Sequence, residues 1–563
     1  MIENLIKKWA LQNALRYGAA NVGPVISKIV AENPELKNKI KEIKSLVEKI
    51  VKEVNALKPE IQREQLEKIA PELLEKQVEK KEFELKALPK AEKGKVVMRF
   101  APSPSGPLHI GHAYVLGLLA AYAKKYDGKL ILRIEDTNPT NIYPKAYEML
   151  VKDANWLTEG GISEVVIQSD RIHTYLDYAE KLIAMGTAYV CTCNSDFWRS
   201  KIMRGKPCPC RDLKVEEQLQ RWDKMFTIFE PGQAVVRIKT DLKAANPALR
   251  DWPALRIIHA PHPKKRTEEK VWPLMNFSVA IDDHDLRVTH TIRGKDHIDN
   301  EKKQDWIYKY FNWQKPIHLY VGRINFIGFE LSTTEVRKKI EYGHYKDWSD
   351  IRLPFLAALR KRGFQPQALI KFAISLGLTQ HDKTVTVEEF WKILNAFNKE
   401  ILEPIANRYF FIWDPVRIKI KSAPKQSIKI ALHPDYRERG WRSFETKDEF
   451  LITRDDFNLI KEGKLYRLME CLNFKKIGEK FVFDSLEVEK FRAEGKAIMH
   501  WLPTNEPLIP IEVHLPDGTK KVGFGEKTLL NLNIGDVIQF ERFAFCRLNE
   551  KIGNKLIFWF THK

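Results

Sequence analysis

The first 92 residues follow a helical pattern of apolar and charged positions. From Leu36 to Leu57, apolar residues recur at alternating spacings of four and three among charged residues. This period is typical of an amphipathic helix with a coiled-coil-like seam. A second helical stretch is predicted from Ile61 to Lys80, folding back on the first as a hairpin. We expect residues 1–92 to form a helical domain, either a plain bundle with solvated basic faces or a surface that contacts RNA.

The next segment alternates short apolar runs with loops and one apolar helix. Val96–Met98 predicts a strand, and the prolines and glycine of residues 102–107 exclude regular structure. An apolar helix is predicted from Leu108, with Pro107 at its first position, where a missing N–H costs nothing. Lys129–Ile134 predicts a second strand. This order of elements indicates a parallel α/β sheet.

A similar pattern returns further along the chain. Trp272–Ile281 is mostly apolar, Asp282–His284 predicts a turn, and Val288–Ile292 predicts a β-branched strand. We expect this segment to complete the sheet that the first two strands begin.

From Tyr409 onward the apolar period becomes two. Residues 416–420 alternate apolar and basic side chains, and Asp517-Gly518 marks a hairpin. Further strands are predicted over 536–548 and 556–560. Many short strands separated by turn signals indicate β-barrels.

Composition narrows the class of protein. The 563 residues carry a formal net charge of +20 and a sequence pI near 9.3, which favours a polyanionic partner. The longest uncharged apolar run, Ala113–Ala123, is far shorter than the roughly 20 residues that span a bilayer. The N-terminus lacks the apolar core of a signal peptide. We therefore expect a cytoplasmic protein with no membrane partner.

His109 and His112 flank Gly111 at the predicted start of the first apolar helix. Free N–H groups and the helix dipole attract anions to such a terminus. Side chains three residues apart lie on one face, and Gly111 leaves room for a flat base against the backbone. Two imidazoles there can donate to phosphoryl oxygens as charge builds up. The strand–loop–helix setting favours a phosphate site over two solvated histidines.

Four of the six cysteines fall within twenty residues, as Cys191, Cys193, Cys208 and Cys210. Two Cys-x-Cys pairs suit a tetrahedral Zn²⁺ site, and a group of buried free thiols is the alternative. The other two cysteines, at positions 471 and 546, are isolated and predicted to be core residues.

Two charged residues follow predicted strands. Glu135 comes after Lys129–Ile134, where open α/β sheets bind ligands, although a helix cap would explain it equally well. Arg293 comes after Val288–Ile292, where a guanidinium can bind a carboxylate bidentately. A structural ion pair is the alternative for Arg293.

Three stretches resemble one protein family. RFAPSPSGPLHIGH, Arg99–His112, resembles the first nucleotide signature of class I aminoacyl-tRNA synthetases, in its glutamyl/glutaminyl form. RIEDT, Arg133–Thr137, resembles the amino-acid pocket of that branch. Residues 331–333, Leu-Ser-Thr, occupy the place of the second nucleotide signature in its archaeal form, but Glu335 stands where lysine is usual. The resemblance to the archaeal type covers nearly the whole chain.

The resemblance implies a multidomain α/β fold with a Rossmann-type parallel-sheet catalytic core. The implied parts are an N-terminal helical domain (1–92), the first half of the catalytic domain (93–185), an inserted acceptor-binding domain with the zinc site (186–270), the second catalytic half (271–345), a helical connecting domain (346–408), and β-barrel anticodon-binding domains (409–563).

The resemblance also implies a reaction. Glutamate and ATP would give an enzyme-bound glutamyl-adenylate, and the acyl group would pass to the 3′-terminal adenosine of tRNA. The implied cofactors are ATP with Mg²⁺ and a structural Zn²⁺. The implied partners are L-glutamate and tRNA(Glu), with tRNA(Gln) and other translation proteins left open. Arginine at position 293 goes with glutamate enzymes in this branch.

Three alternatives stay open. A glutaminyl-tRNA synthetase shares the layout, and Glu335 motivates a catalytically weakened tRNA-binding paralogue. A small-molecule nucleotidyltransferase would leave the cysteine pairs and barrels unexplained.

The site residues that the resemblance implies fall into four groups. His109, His112 and Ser332 are the implied catalytic residues. ATP would be bound by Pro104, Gly106, His109, Gly111, His112, Leu331, Ser332, Thr333 and Lys338. Glutamate would be bound by Arg99, Ser103, Glu135, Met275 and Arg293. RNA contacts are expected from Tyr436, Arg437, Arg439, Trp441 and Arg442.

Overall fold

The computed structural model describes residues 2–33, 35–36, 40–70, 73, 83–265 and 269–563. The chain divides into two compact units, Met1–Glu82 and Phe83–Lys563. In the described part of the chain, no helix combines the length and apolar character needed to cross a membrane.

The first unit is a helical bundle, as the N-terminal pattern predicted. The predicted seam is buried at Ile43, Val47, Ile50 and Val54. The second predicted helix ends at Ile69, and residues 71–72 and 74–80 of that prediction lie outside the described residues. The helices are α1 (Ile2–Tyr17), α2 (Val22–Glu32), α3 (Ile40–Asn55) and α4 (Pro59–Ile69).

The second unit opens with three parallel strands and their crossover helices. The strand order is β1-β2-β3, and β2 has the predicted bounds. The elements are β1 (Val97–Phe100), α5 (Ile110–Tyr126), β2 (Lys129–Ile134), α6 (Ala146–Leu157), β3 (Glu164–Ile167) and α7 (Ile172–Ala184).

Helix α5 begins two residues later than predicted, so Pro107 is not its first residue. The N–H of Leu108 donates to the buried carboxylate of Asp153 at 3.2 Å and does not join the helix. His109 then takes the N-cap position in an extended conformation.

A four-stranded antiparallel sheet interrupts the parallel one. Its order is β4-β5-β6-β7, and its apolar face packs with α7 and α9. The elements are β4 (Ala188–Cys191), α8 (Ser195–Met203), α9 (Val215–Thr227), β5 (Val235–Ile238), β6 (Pro253–Ile257) and β7 (Val271–Pro273).

The chain then returns to the first three strands. Strand β8 lies beside β1, because the Thr289 N–H donates to the Val97 carbonyl at 2.9 Å, and β8 pairs with β9 in parallel. The elements are α10 (Met275–Asp285), β8 (His290–Gly294), α11 (Ile298–Phe311), β9 (Ile317–Val321), β10 (Ile324–Ile327), α12 (Thr333–Glu341), α13 (Leu356–Arg362), α14 (Pro366–Leu376), β11 (Lys383–Thr386) and α15 (Val387–Leu402).

The turn predicted at Asp282–His284 is wrong, because these residues lie within α10. Asp282 and Asp283 are buried and paired with arginines from other elements, so their charges do not end the helix.

Two seven-stranded sheets complete the chain, each around its own apolar core. One sheet starts at β12 and ends at β13, which are separated only by Phe410, so it curls back on itself and is nearly closed. The elements are β12 (Arg408–Tyr409), β13 (Phe411–Trp413), β14 (Pro415–Lys421), β15 (Gln426–Ala431), β16 (Trp441–Thr446), β17 (Glu449–Thr453), α16 (Arg454–Leu459), β18 (Leu465–Leu468), β19 (Asn473–Ile477), β20 (Lys480–Ser485), α17 (Val488–Glu494), β21 (Gly495–Met499), β22 (Leu502–Pro503), β23 (Ile509–His514), β24 (Lys520–Gly525), β25 (Val537–Phe540), β26 (Ala544–Ile552) and β27 (Lys555–His562).

The hairpin predicted at Asp517-Gly518 is confirmed between β23 and β24. The strand predicted over 536–548 is instead the hairpin β25–β26, and Arg542 adopts a positive φ of 60° in its turn. Cys471 and Cys546 are buried, as predicted.

Candidate active site

The histidine signature forms a reciprocal cap at the start of α5. His109 Nδ1 accepts the N–H of Gly111 at 3.0 Å, and His112 Nδ1 accepts the N–H of His109 at 3.3 Å. The centroids of the two rings lie 3.9 Å apart. The prediction that both imidazoles share one face is confirmed.

This cap fixes the protonation of both rings. Because each Nδ1 is an acceptor, each neutral ring carries its proton on Nε2. Burial lowers the pKa of His112 to about 4, and burial together with the neighbouring His112 lowers the pKa of His109 well below its usual range. Both imidazoles are therefore neutral near pH 7, and each has one Nε2–H donor that the cap does not use.

The two nucleotide signatures touch each other. A Cβ on Gly106 would come within 2.9 Å of Thr333 Cγ2, so the approach requires glycine. Thr333 Oγ1 also donates to Ser105 Oγ at 3.3 Å. Ser332 is the N-cap of α12, where its hydroxyl accepts the N–H of Glu335 at 3.3 Å. The structure thus places the loop before α5 in contact with the first turn of α12.

Pro104 and Leu331 anchor the loops behind these contacts. The buried Pro104 accepts the N–H of Tyr143 through its carbonyl at 2.8 Å, and Leu331 packs against the apolar core of the parallel sheet. Both loops are therefore held by the fold before any ligand binds.

Glu335 pairs with a lysine of its own helix. Lys338 Nζ lies 3.2 Å from Glu335 Oε1, and both side chains are more than half exposed. Lys339 pairs with Glu330 at 2.7 Å, and the Arg337 guanidinium lies 5.8 Å from the ring centroid of Tyr143. Glu335 thus engages, at i,i+3 spacing on α12, the lysine that we assigned to ATP.

Arg293 stands at the end of β8 with only an amide for a partner. Its Nη1 and Nη2 both donate to Gln304 Oε1, at 3.3 and 3.4 Å. No carboxylate lies within ion-pair distance of it among residues 83–265 and 269–563. Burial and then the like charge of Arg99 lower the pKa of Arg293.

The neighbouring arginines are all paired. Arg99 binds Asp283 bidentately at 2.5 and 3.0 Å, and Arg133 contacts Asp282 at 2.6 Å and Glu135 at 2.5 Å. Burial is the largest influence and would lower the pKa of Arg99, but the charge and the hydrogen bonds of Asp283 together outweigh burial and raise it. Two donors of Arg99 are thus occupied by the protein.

The remaining predicted glutamate residues surround this network. Ser103 Oγ donates to the Glu135 carbonyl at 3.2 Å, and the Glu135 N–H donates to the Pro102 carbonyl at 2.9 Å. Met275 is the first residue of α10 and is half-buried. The structure places Glu135 on the first signature loop through these bonds.

Sequence reasoning missed four residues of this pocket: Asp282, Asp283, Gln304 and Tyr308. The Tyr308 hydroxyl is buried near Arg99 and Arg293 and has no hydrogen-bond partner in the described part of the chain. Two adjacent acids directly after the apolar run 272–281 were the available signal, because acids inside an apolar segment need buried cations.

The four clustered cysteines converge on one point. Their Sγ atoms all lie within 4.8 Å of one another, with Cys191–Cys208 at 3.9 Å and Cys193–Cys210 at 3.6 Å. Tetrahedral Zn²⁺ with Zn–S bonds of about 2.3 Å requires S···S distances of roughly 3.8 Å. The donor set and its spacing therefore fit zinc.

The aromatic and basic loop 436–442 is split by burial. Tyr436, Arg437 and Trp441 are exposed, and Arg439 lies over the Tyr436 ring at 4.5 Å. Arg442 is only 1 % exposed and pairs with the buried Glu526 at 3.3 Å. The expectation that Arg442 contacts RNA is therefore replaced by a structural ion pair.

Comparison with protein-family models gives three matches in chain order. The catalytic domain of "tRNA synthetases class I (E and Q)" matches residues 95–404, and two models for the anticodon-binding domain of the same family match residues 406–493 and 498–549. The chain belongs to this family.

Two full-length relatives of this synthetase come from archaea. The glutamate–tRNA ligase of Pyrococcus abyssi is 45% identical over 580 residues and that of Methanothermobacter marburgensis 42% over 567, each match covering 100% of both chains. Among solved structures, a glutamate tRNA ligase from Elizabethkingia meningosepticum aligns with a TM-score of 0.40 and 20% identity, over 56% of this chain and 70% of that one. The class I synthetase of the glutamate and glutamine branch is thus the archaeal type over its whole length.

Proposed function

We propose that this synthetase is a glutamate–tRNA ligase that activates L-glutamate with ATP and transfers it to the 3′-terminal adenosine of tRNA. The observation that carries the choice of amino acid is Arg293, a partly buried guanidinium without a carboxylate partner in the described residues. The archaeal relatives with the same full-length architecture support the choice.

The pairing of charges in the pocket favours glutamate over glutamine. Three arginines, at positions 99, 133 and 171, are paired with four carboxylates, at 135, 282, 283 and 285. Arg293 has no carboxylate partner in the described residues, and an unpaired charge away from water is costly, which favours a ligand carboxylate beside it. L-glutamate supplies two carboxylates and one ammonium, and glutamine supplies one of each. Glutamate therefore provides a side-chain carboxylate for Arg293 that glutamine lacks.

We assign the ammonium of the substrate to Glu135 and its carboxylates to Arg293 and Arg99, with Ser103 and Met275 completing the pocket. Glu135 retains a partly exposed carboxylate although Arg133 binds one of its oxygens. Arg99 uses its Nε–H and one Nη2–H on Asp283, whose carboxylate also balances its charge. Arg293 uses two N–H groups on the neutral amide of Gln304, so it is the arginine of the two whose charge lacks a carboxylate in the described residues.

We assign ATP to the contact between the two signatures. Neutral His109 and His112 would each donate an Nε2–H to phosphoryl oxygens, and Gly106 and Gly111 would let the nucleotide approach the backbone. Ser332 and Thr333 line the N-terminus of α12, which favours anions. Catalysis would come from positioning and electrostatic stabilisation, without a covalent enzyme intermediate.

Mg²⁺ neutralises phosphate charge when it is bound with ATP. The carboxylates around the pocket are engaged by arginines, so ATP oxygens rather than a protein cage would hold this ion. For Zn²⁺ we propose Cys191, Cys193, Cys208 and Cys210 as the ligands. Arg221 Nη1 lies 3.3 Å from Cys210 Sγ, where it would stabilise a thiolate ligand.

We propose that the six domains predicted from the sequence act on tRNA as those of the family do. The insertion 186–270 would hold the acceptor end, and 409–563 would hold the anticodon, with Tyr436, Arg437, Arg439 and Trp441 as candidate contacts. The partners would be tRNA(Glu), with tRNA(Gln) and other translation proteins as further candidates. Six free cysteines suit a reducing cytoplasm.

ATP–pyrophosphate exchange tests this proposal. Purified protein is assayed with glutamate or glutamine, each with and without tRNA(Glu). We expect exchange with glutamate when tRNA is present and none above background with glutamine. Exchange with glutamine alone would make the protein a glutaminyl enzyme.

Glu335 favours one second candidate, a tRNA-binding paralogue with weakened activation. Its carboxylate engages Lys338 at the mouth of the nucleotide loop. Absence of exchange with both amino acids, combined with tight tRNA binding, would favour this candidate over the ligase.

A further inference from the structure

Helix α13 joins the first nucleotide signature to the C-terminal sheet. At its N-terminal end, the Leu356 N–H donates to the Leu108 carbonyl at 2.9 Å, and the Ile110 N–H donates to the Pro354 carbonyl at 3.1 Å. These bonds form an antiparallel bridge between His109 and Phe355. Both sides of the reciprocal histidine cap are thus hydrogen-bonded to the residues that start α13.

The other end of α13 is held by β27. Arg362 Nη2 donates to the Thr561 carbonyl at 2.9 Å, and its Nε donates to the Phe560 carbonyl at 3.2 Å. The Thr561 hydroxyl returns a bond to the Arg362 carbonyl. Arg362 is 3 % exposed and has no carboxylate within ion-pair distance in the described chain, so two carbonyls and the face of Trp391 at 4.5 Å stabilise its charge.

The junction is too tight to slide. Gly363 ends α13 with a φ of 95°, and a Cβ there would lie 3.0 Å from Thr561 Oγ1 and 3.1 Å from Arg547 Cβ. Asn549 Nδ2 also donates to the Lys361 carbonyl at 2.9 Å. Seven helical residues span roughly 10 Å. A displacement of β27 therefore moves α13 as a body, and with it the backbone on which His109 is built.

We propose that Arg362 is a positioning residue for nucleotide binding, because it fixes α13 between the C-terminal strand and the His109 signature. The inference rests on the proposed role of His109 toward ATP. It assigns to the C-terminal sheet a second task besides holding RNA, namely keeping the nucleotide signature in register. The proposed glutamate pocket shares Ser103 and Glu135 with the signature loop, but Arg293, which would bind a substrate carboxylate, lies on β8, which this link does not include.

Kinetics of the full-length protein test the proposal. In ATP–pyrophosphate exchange with tRNA present, Arg362→Met should raise the KM for ATP at least fivefold and leave the KM for glutamate within twofold. Arg362→Lys should recover part of the loss, since an ammonium can still donate to a carbonyl. Thr561→Val removes only the returning hydroxyl bond, and should shift the KM for ATP in the same direction if Arg362→Met fails to fold.

Arg467→Met is the matched control. Arg467 is also buried, and it donates to Asn473 and to the Leu486 carbonyl in the other seven-stranded sheet, away from α13. All variants are compared below their unfolding temperatures. The proposal is overturned if Arg362→Met and Thr561→Val keep the wild-type KM for ATP. It is also overturned if they change the KM for ATP and the KM for glutamate together, in the same way as Arg467→Met.

Hydrogen exchange supplies a readout that is independent of activity. Coupling is reciprocal, so a non-hydrolysable ATP analogue should slow amide exchange in β27 of the wild type, and less so in Arg362→Met. Unchanged protection of β27 would refute the link. If wild-type protein lacks pyrophosphate exchange but shows this protection, the proposed function fails and the positioning link stands.

Discussion

At the scale of single residues, the pocket is defined by which charges already have partners. Arg99 and Arg133 have theirs, and within the described chain Arg293 has only the amide of Gln304. A guanidinium without a carboxylate partner can bind a carboxylate of the ligand. Replacing Arg293 would therefore remove that interaction.

We predict that Arg293→Ala lowers kcat/KM for glutamate at least tenfold. Loss of one member of a buried charge pair typically costs about 2–5 kcal/mol of binding. The effect should appear in pyrophosphate exchange as a higher KM for glutamate with little change in the KM for ATP. Arg211→Ala serves as the control, because Arg211 is paired with Asp251 in the inserted sheet. Wild-type kinetics in Arg293→Ala would place the carboxylate site elsewhere.

His112 makes a second prediction, on stability against pH. Burial lowers its pKa to about 4, below the usual value near 6.5, so the unfolded chain binds its proton first as pH falls. Stability contributed by the neutral ring is complete above pH 6.5 and is lost between 6.5 and 4. Urea unfolding should therefore show a steeper loss over this window in wild type than in His112→Asn, whose amide oxygen can still accept the His109 N–H. Parallel curves would contradict the assignment.

At the scale of elements, the first turn of α12 decides how the second signature meets phosphate. The pair between Glu335 and Lys338 is exposed, and such pairs contribute only about 0–1 kcal/mol to stability. Changes there should therefore alter catalysis without unfolding the helix.

Glu335→Lys should speed adenylate formation, because it removes a negative charge from the nucleotide loop and releases Lys338. Lys338→Ala should slow the same step. Single-turnover formation of the adenylate measures both, and the KM for glutamate should change little. Glu341→Lys, at the far end of α12, is the control for net charge. If Glu335→Lys abolishes activity, this glutamate has a positive role in the reaction.

The proposed zinc site at the four clustered cysteines gives the second prediction at this scale. Elemental analysis should find about one Zn²⁺ per chain, by the four-ligand rule. A thiol reagent applied to native protein should titrate none of the four clustered cysteines until a chelator is added, and then all four. Cys471 and Cys546 are buried in the sheets and should stay unreactive in both conditions. Free titration of the four thiols in untreated protein would exclude the site.

Local pattern was enough where neighbours along the chain decide the structure. The bounds of β2, the β23–β24 hairpin and the alternation in β14 all follow from period and turn residues. It failed where a distant residue decides. The start of α5 depends on Asp153 accepting the Leu108 N–H, 45 residues away.

The candidate site divides in the same way. His109, Glu135 and Arg293 could be proposed because each follows the end of a strand or loop. Which arginine lacks a carboxylate partner depends on Asp283, which meets Arg99 across 184 residues of chain. No local pattern in the sequence contains that pairing.

At the scale of the whole molecule, the ion pair of Arg442 and Glu526 connects the β15–β16 hairpin to the nearly closed sheet. Both side chains are almost completely buried. Burial raises the pKa of Glu526 to about 7, although Arg442 pulls it down. Folding therefore disfavours the ionised form of Glu526, and Arg442 reduces that cost.

We predict that Arg442→Met costs about 3–5 kcal/mol of unfolding free energy, because it leaves a buried carboxylate unpaired. Without Arg442, the pKa of Glu526 should lie even further above its unfolded value. The loss of stability should therefore be smaller at low pH, where Glu526 is neutral, and should grow as pH rises and the buried carboxylate must ionise. Arg442→Met combined with Glu526→Gln should recover much of the stability. Denaturant titrations at two pH values check this, and a full loss that persists in the double variant would contradict it.

The mutual cap of His109 and His112 has one further consequence, for the entropy of nucleotide binding. Immobilising a flexible side chain at a binding site typically costs about 0.5–1.5 kcal/mol. Here each ring already holds a backbone N–H of its own helix turn before any ligand arrives. In the proposed nucleotide site, the two imidazoles would therefore lose almost no freedom on binding a phosphate, and their hydrogen bonds would contribute to affinity nearly undiminished.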